Sequence, residues 1–397
     1  MIDLNLEGKR VLIRVDLNVP IQNGVILDDA RIQAILPTLD LALKARAKVI
    51  LLSHLGRPKE GEFSSALSLA PIAVYLSKHL KRSVRFLPNW LEGVKLGPGE
   101  IVLCENVRFN IGEEANDENL AKKMAALCDV FVMDAFATAH RAQASTVGIA
   151  KYAPVACAGP LLMAELAMLS TVLTNPKRPL VAVVGGAKIS DKLKLLKNLL
   201  EKVDTFIVGG GIANTLLAAL GFPMGGSLYE PSLIETAKEL LAFAKTKGVD
   251  LLVPIDVVVA PELTLPDQKK IVDVREVGEA DRIFDVGPKT LESYANALKA
   301  AGTILWNGPL GVFEKDAFGI GTKALAEAIA ASEAFSVAGG GETVAAAEKY
   351  GIKNKISYLS TGGGAFLEVL EGKDLPGVVA LNIPREQSSQ PPSKGAL

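Results

Sequence analysis

Short apolar runs rich in β-branched residues alternate with segments of helical period along almost the whole chain. In the first half the runs are RVLIRV (10–15), KVILLS (48–53), EIVLC (100–104) and DVFVMDA (129–135). In the second half they are PLVAVV (179–184), DTFIV (204–208), VDLLVP (249–254), TILW (303–306), AFSVA (334–338) and KISYLS (355–360). A strand covered on both faces is apolar throughout, and a helix between two such strands returns the chain to the same sheet edge. The alternation therefore predicts βαβ units, with parallel sheets carrying helices on both faces. One intervening segment, DKLKLLKNLLEKV (191–203), places Leu193, Leu196, Leu199, Leu200 and Val203 on one stripe at helical spacing. At 397 residues the chain exceeds one compact core. The expected fold class is α/β, with two doubly wound, Rossmann-like domains.

In open parallel sheets, ligands bind beyond the carboxyl ends of the strands. The first half ends its strands in polar and charged groups: Arg14, Asp16 and Asn18; Ser53, His54, Gly56 and Arg57; Glu105 and Arg108; Asp134, then His140 and Arg141. The second half ends its strands in glycine: Gly185-Gly186, Gly209-Gly210-Gly211, Gly308 with Gly311, Gly339-Gly340-Gly341, and Gly362-Gly363-Gly364. Arginine forks match phosphate and carboxylate oxygens, so the first half suits a small polyanion. Glycine turns at helix N-termini bring backbone N–H groups close to phosphates, so the second half suits a nucleotide. An acid on one domain and a nucleotide on the other is the layout of a kinase.

Each signal has a plainer reading. A triple glycine is commonly a tight turn, and a strand-end arginine is commonly a surface ion pair. The plainer reading of Arg14 is a residue that orients its neighbours, and that of His54 and His140 is a structural histidine. Trp306 and Phe313 read as packing residues, while His79 and the runs KKM (122–124) and KRSVR (81–85) read as solvated faces. The cluster alters the balance, because several cationic loops at one sheet edge repel one another unless an anion is expected there.

Lys+Arg 43 against Asp+Glu 44 leave no global field for nucleic acid or a membrane surface. The uncharged stretch 205–229 is broken by glycines and Pro223, against a membrane span. Three cysteines without C-x-x-C spacing read as reduced thiols, and the N-terminus shows no long apolar signal segment. The expectation is a cytoplasmic protein acting on small molecules, without nucleic-acid or membrane partners. The stretch VAVVGGAKISDK (181–192) is not a P-loop, because Ser190 stands where the second glycine is required. No G-x-G-x-x-G with a following acidic residue supports a dehydrogenase. A regulatory module that binds nucleotide without turnover is the remaining alternative.

RVDLNVP (14–20), SHLGRP (53–58), ENVRF (105–109), AHRAQAS (139–145), GGAKISDK (185–192), GGGIA (209–213), WNGPLGVFE (306–314), GGGETVA (339–345) and STGGGAFLEVLEGK (360–373) stand in this order. Together they resemble the phosphoglycerate kinase family over roughly residues 1–380. The resemblance implies reversible phosphoryl transfer between 1,3-bisphosphoglycerate and Mg-ADP, giving 3-phosphoglycerate and Mg-ATP, by a monomer. It implies that Asp16, Leu17 and Asn18 meet the acid's hydroxyl and carboxyl groups, and that His54, Leu55, Gly56, Arg57, Arg108 and Arg141 surround its phosphate. Arg31 would stabilise the transferring group together with Lys192, Gly363 and Gly364. Lys188, Lys192, Gly209, Gly210, Gly211, Gly287, Asn307, Pro309, Glu314, Gly340, Gly341, Glu342 and Thr343 would hold the nucleotide, ATP or ADP, with Glu342 on its Mg²⁺. If a helix has begun by Lys188, then Lys188 and Lys192 share one of its faces.

Two positions depart from the family pattern. Glu342 stands where aspartate is usual and reaches one methylene further. Gln143 replaces a second histidine, leaving the basic cluster one donor fewer. The resemblance divides the chain into an acid-substrate domain (1–160), a linker helix (161–176), a nucleotide domain (177–374) and a segment returning to the first domain (375–397). A hinge at the linker helix and the 360–380 region would close a cleft between the domains. The polar tail after about Pro384 is expected to be disordered.

Overall fold

The computed structural model describes residues 1–382. The tail after Pro384 lies outside the described residues. The chain forms two compact units, Met1–Ala164 with the described residues from Asp374 to Asn382, and Glu165–Lys373. The first boundary falls inside a helix, Pro160–Thr174.

The first unit is built on six strands: β1 (Arg10–Arg14), β2 (Lys48–Leu52), β3 (Val84–Leu87), β4 (Ile101–Cys104), β5 (Val130–Met133) and β6 (Val155–Ala158). All pair in parallel, in the order β3-β4-β2-β1-β5-β6. The connection after β1 leads to β2 on one side, and the connection after β5 leads to β6 on the other. Their divergence opens a crevice at the carboxyl edge. Val11, Leu12 and Ile13 of β1 are wholly buried. Each such side chain contributes roughly 1.5–3 kcal/mol by leaving water, and together they fix where Arg14 emerges.

The second unit repeats the plan with β7 (Leu180–Val184), β8 (Thr205–Val208), β9 (Asp250–Leu252), β13 (Thr303–Asn307), β14 (Phe335–Ala338) and β15 (Tyr358–Leu359), in the order β9-β8-β7-β13-β14-β15. Here the connections diverge between β7 and β13, and Val184 pairs in register with Asn307. Between β9 and β13 the chain makes a second, antiparallel sheet of β10 (Asp256–Ala260), β11 (Lys270–Asp273) and β12 (Arg282–Val286). It packs on Leu217 and Met224 through Val257 and Val259.

Several sequence expectations change. The strand expected over 249–254 is only Asp250–Leu252. The segment 81–85 is not simply a solvated face, since Val84 is buried at the start of edge strand β3, and Met124 of KKM is fully buried. The helix after β7 begins at Leu193, preceded by a 3-10 turn over Ser190–Lys192. Leu195 joins Leu196, Leu199, Leu200 and Val203 in its buried stripe, and Leu193 is only half-buried. Lys188 therefore lies on a loop and shares no helical face with Lys192. Trp306 and Phe313 are buried as expected, and His79 is exposed.

Candidate active site

In the first unit the polar strand ends form one connected network. Asp16 Oδ2 accepts from Arg31 Nη1 at 2.8 Å, and its Oδ1 accepts from the Asn18 backbone N–H at 3.0 Å. Asn18 Oδ1 in turn accepts from the Gly56 N–H at 2.9 Å, and the Gly56 carbonyl accepts from Arg108 Nη1 at 2.5 Å. Gly56 has φ +61, and a Cβ there would stand 2.6 Å from Leu67, so the turn requires glycine. The side chains of Leu17 and Leu55 are buried in the core, leaving their backbones as the groups at this edge. Arg57 is exposed and Arg141 half-buried.

Arg14 is completely buried and orients its neighbours: Nε donates to Ser145 Oγ at 3.0 Å, and Nη2 lies 3.4 Å from His54 Nδ1. Ser145 in turn donates to the buried carboxyl of Glu113. Burial lowers the Arg14 pKa, against the pull of Glu113. His54 is pushed well below the ordinary imidazole range by burial and by Arg14, Arg108, Arg31 and Arg141 around it. Its imidazole is therefore neutral near pH 7. Arg108 is 2% exposed, and its Nε and Nη2 find no hydrogen-bond partner. Burial and the neighbouring arginines bring its pKa down to about 10. A buried cation with unspent donors is costly unless an anion completes it. Glu105 and Asp134 serve the frame instead: Glu105 accepts from Ser68, Leu69 and Asn106, and Asp134 from Thr38 and Leu162. Gln143 is buried, and its backbone N–H donates to Thr146 Oγ1.

In the second unit the carboxyl edge carries a cavity of about 550 Å³, a size suited to a nucleoside-sized ligand. Gly210, Gly211, Pro309, Glu314 and Glu342 line it. Beside it, Lys192 Nζ donates to the Gly185 carbonyl at 2.6 Å and to Asn307 Oδ1 at 2.7 Å. Burial lowers the Lys192 pKa to about 8, while Glu342 and Asp191 pull the other way. Lys188 is exposed.

Many of the glycines answer to the protein itself. A Cβ on Gly185 would stand 1.7 Å from the Pro309 carbonyl oxygen, one on Gly209 2.6 Å from Leu310, and one on Gly211 2.0 Å from the Ala187 carbonyl oxygen. Gly287 caps the helix Pro288–Ala300 and sits against Asp256, outside the cavity lining. Gly341 and Gly363 differ, with nothing within 4 Å of an added Cβ. Gly340 (φ +100) and Gly363 (φ +51) are N-caps, of the helices Gly341–Lys349 and Gly364–Leu370. Thr343 is buried, and its Oγ1 accepts from the Gly308 N–H at 2.8 Å.

Much of the cavity wall comes from residues outside the expected set: Asn214, Tyr229, Phe284, Asp285 and Val312. Asp285 is buried with its pKa raised to about 7, burial outweighing the N–H groups of Gly321 and Val286. The one signal in sequence was a carboxylate two positions before Gly287.

A buried arginine with unspent donors on one unit, and a lysine-flanked cavity on the other, divide the work as a phosphotransferase of small molecules does. The profile of the phosphoglycerate kinase family matches residues 1–373. The solved structure of phosphoglycerate kinase from Coxiella burnetii is 55% identical, over 96% of this chain and 98% of that one, with a TM-score of 0.92. That of phosphoglycerate kinase from Pyrococcus horikoshii OT3 is 35% identical, over 96% and 97% of the two chains, with a TM-score of 0.76. The chain belongs to the phosphoglycerate kinase family, and its activity is phosphoryl transfer between phosphoglycerate and adenine nucleotide. Among the described residues no helix is long and apolar enough to cross a membrane.

Proposed function

We propose a division of roles for the reversible reaction of 1,3-bisphosphoglycerate and ADP to 3-phosphoglycerate and ATP. The attacking group is the terminal phosphate of ADP in this direction and the carboxylate in the reverse, and both are already ionised at pH 7, so no general base is needed. Catalysis reduces to aligning two anions and neutralising charge on the transferring phosphoryl oxygens. Asp16 and Asn18 receive the hydroxyl and carboxyl end of the acid, with the backbones of Leu17, Leu55 and Gly56 shaping the floor. His54, Arg57, Arg108 and Arg141 take its phosphate. The observation that carries this reading is Arg108, buried with two unpartnered donor nitrogens.

The nucleoside occupies the second unit's cavity, with Pro309 and Glu314 on its wall. Lys192 and the backbone of Gly363 and Gly364 face the transferred group from the nucleotide side, and Arg31 from the acid side. When bound with the nucleotide, Mg²⁺ would supply charge neutralisation on the phosphates. Glu342, a carboxylate on the cavity wall, fits an ion that draws its other ligands from phosphate and water. Among the described residues no cluster of three His, Cys, Asp or Glu offers a metal cage of its own. Every role is filled from one chain, which favours a monomer, and the buried, reduced thiols of Cys104 and Cys128 favour a reducing, cytoplasmic setting.

A coupled assay for ATP formation tests the roles directly. Arg31→Ala is expected to lower kcat by about 10²–10³-fold with nucleotide KM nearly intact, because the lost contact matters mainly in the transition state. Normal turnover would remove Arg31 from the mechanism. Half-sites on separate compact units must also meet for transfer. Small-angle scattering with both ligands bound is expected to show compaction that neither ligand produces alone, and its absence would count against hinge closure.

A further inference from the structure

Asn307 closes a ring of hydrogen bonds around the lysine. Its backbone carbonyl accepts from the Gly185 N–H at 3.0 Å, while Lys192 Nζ donates both to the Gly185 carbonyl and to Asn307 Oδ1. Its amide nitrogen, Nδ2, donates to the Gly339 carbonyl at 2.7 Å. The residue is 2% exposed. Its partners fix the orientation of the amide, since an ammonium can only donate and a carbonyl can only accept. The neighbouring glycines make room for this clamp. A Cβ on Gly340 would stand 2.7 Å from Asn307 Nδ2, and one on Gly186 3.4 Å from Lys192 Nζ.

We infer that Asn307 is a positioning residue, which holds the Lys192 ammonium at the switch point between β7 and β13 without neutralising it. The inference rests on the reading of Lys192 as the cation that stabilises the transferring group. An ammonium has three N–H bonds, and the ring uses two, leaving one for a ligand. A carboxylate at position 307 would orient the lysine equally well. It would also cancel the charge that transfer needs, and set an anion against the Gly339 carbonyl. An apolar side chain would leave the ammonium with the Gly185 carbonyl alone and strand the Gly339 carbonyl. Asparagine meets both demands. The charged groups acting on Lys192 are Glu342, from the helix opening at Gly341, and Asp191 on its own turn. Asn307 adds an acceptor without adding to that negative charge.

The test follows Lys192 itself by pH-dependent labelling with acetic anhydride, read by peptide mass spectrometry, beside steady-state kinetics. In Asn307→Asp the labelling midpoint is expected to rise by about one pH unit, with the alkaline limb of the kcat profile moving likewise. The same variant should lose at least about tenfold in kcat through the cancelled charge. In Asn307→Ala kcat should fall about 10–100-fold, with nucleotide KM changed less than about threefold. If Asn307→Ala fails to fold, the nearly isosteric Asn307→Asp carries the test. A rise in nucleotide KM with kcat retained would make Asn307 a ligand contact and overturn the proposal. An unmoved labelling midpoint in Asn307→Asp, with Lys192→Met inactive, overturns the positioning alone. Full kcat in Lys192→Met instead overturns the reading of Lys192 on which it rests.

Discussion

The two strand-end sites solve the same electrostatic problem with opposite materials. The first unit gathers charged side chains and buries them: Arg14 and Arg108 lie at 0% and 2% exposure, and His54 is held neutral among them. The second unit relies on backbone, a cavity and one clamped lysine. Buried guanidinium groups are stiff and ready but cost stability while no anion is present. Glycine loops bury no charge; their cost is the backbone entropy that glycine loses on folding, offset by close contacts such as Gly185 with Pro309 and Gly211 with Ala187. A small, highly charged substrate needs the first solution. A larger nucleotide, which brings apolar surface of its own, can use the second.

The largest effect that would break this contrast lies at Arg108. If its unspent donors wait for substrate, Arg108→Met should raise KM for the acid substrate by about 10²-fold, while raising the melting temperature of the unliganded protein by a few degrees. Removing a buried, unsatisfied group returns about 1–3 kcal/mol, and a domain of this size gains roughly 2–4 °C per kcal/mol. Calorimetry beside steady-state kinetics reads both changes. A variant that loses stability and activity together would make Arg108 a structural residue.

The second unit's glycines give an intermediate effect and sharpen the contrast from the other side. Gly185→Ala should destabilise strongly, because its Cβ would collide with the Pro309 carbonyl oxygen across the β7–β13 crossing. Gly341→Ala meets nothing within 4 Å in the first turn of its helix. It should leave stability unchanged or raise it by about 0.4–1 kcal/mol, while nucleotide KM rises several-fold. Unchanged nucleotide KM in folded Gly341→Ala would mean that phosphates do not approach this turn.

The same asymmetry explains what the sequence made legible. Strands covered on both faces announced themselves as apolar runs, and the polar residues after them stood out against that background. The antiparallel sheet did not: β10, although buried throughout and apolar after Asp256, follows the run 249–254 after a single residue, and β11 exposes both Lys270 and Ile271. Edge strand β3 hid for a related reason, burying Val84 while Arg85 stays exposed. At the sites, arginines and glycines were visible as chemistry. The walls at Phe284 and Val312 were not, because an apolar lining has the composition of a core. Spacing put Lys188 and Lys192 on one face only if a helix had begun by Lys188, and a helix starting at Leu193 separates an exposed lysine from a clamped one.

The smallest expected effect is one of pH, and it belongs to the first unit, since His54, His79 and His140 all lie there. Burial and four arginines hold His54 well below its ordinary value. Below about pH 6.5 the unfolded chain therefore takes up a proton that the folded chain refuses. Stability contributed by neutral His54 is complete above that pH. It falls as pH drops from about 6.5 toward the folded value, by at most about 1.4 kcal/mol per pH unit. His54→Gln removes the titrating group while keeping a polar side chain of similar length, so its melting temperature should depend less on pH between 6.5 and 5 than the parent's. A bound phosphate ester should also flatten the parent's curve, because an anion beside the imidazole offsets the arginines that oppose its protonation. Parallel melting curves for parent and variant would mean that His54 does not feel the cluster around it. The first unit's charge would then be better screened than its burial implies, and closer in character to the second unit's site.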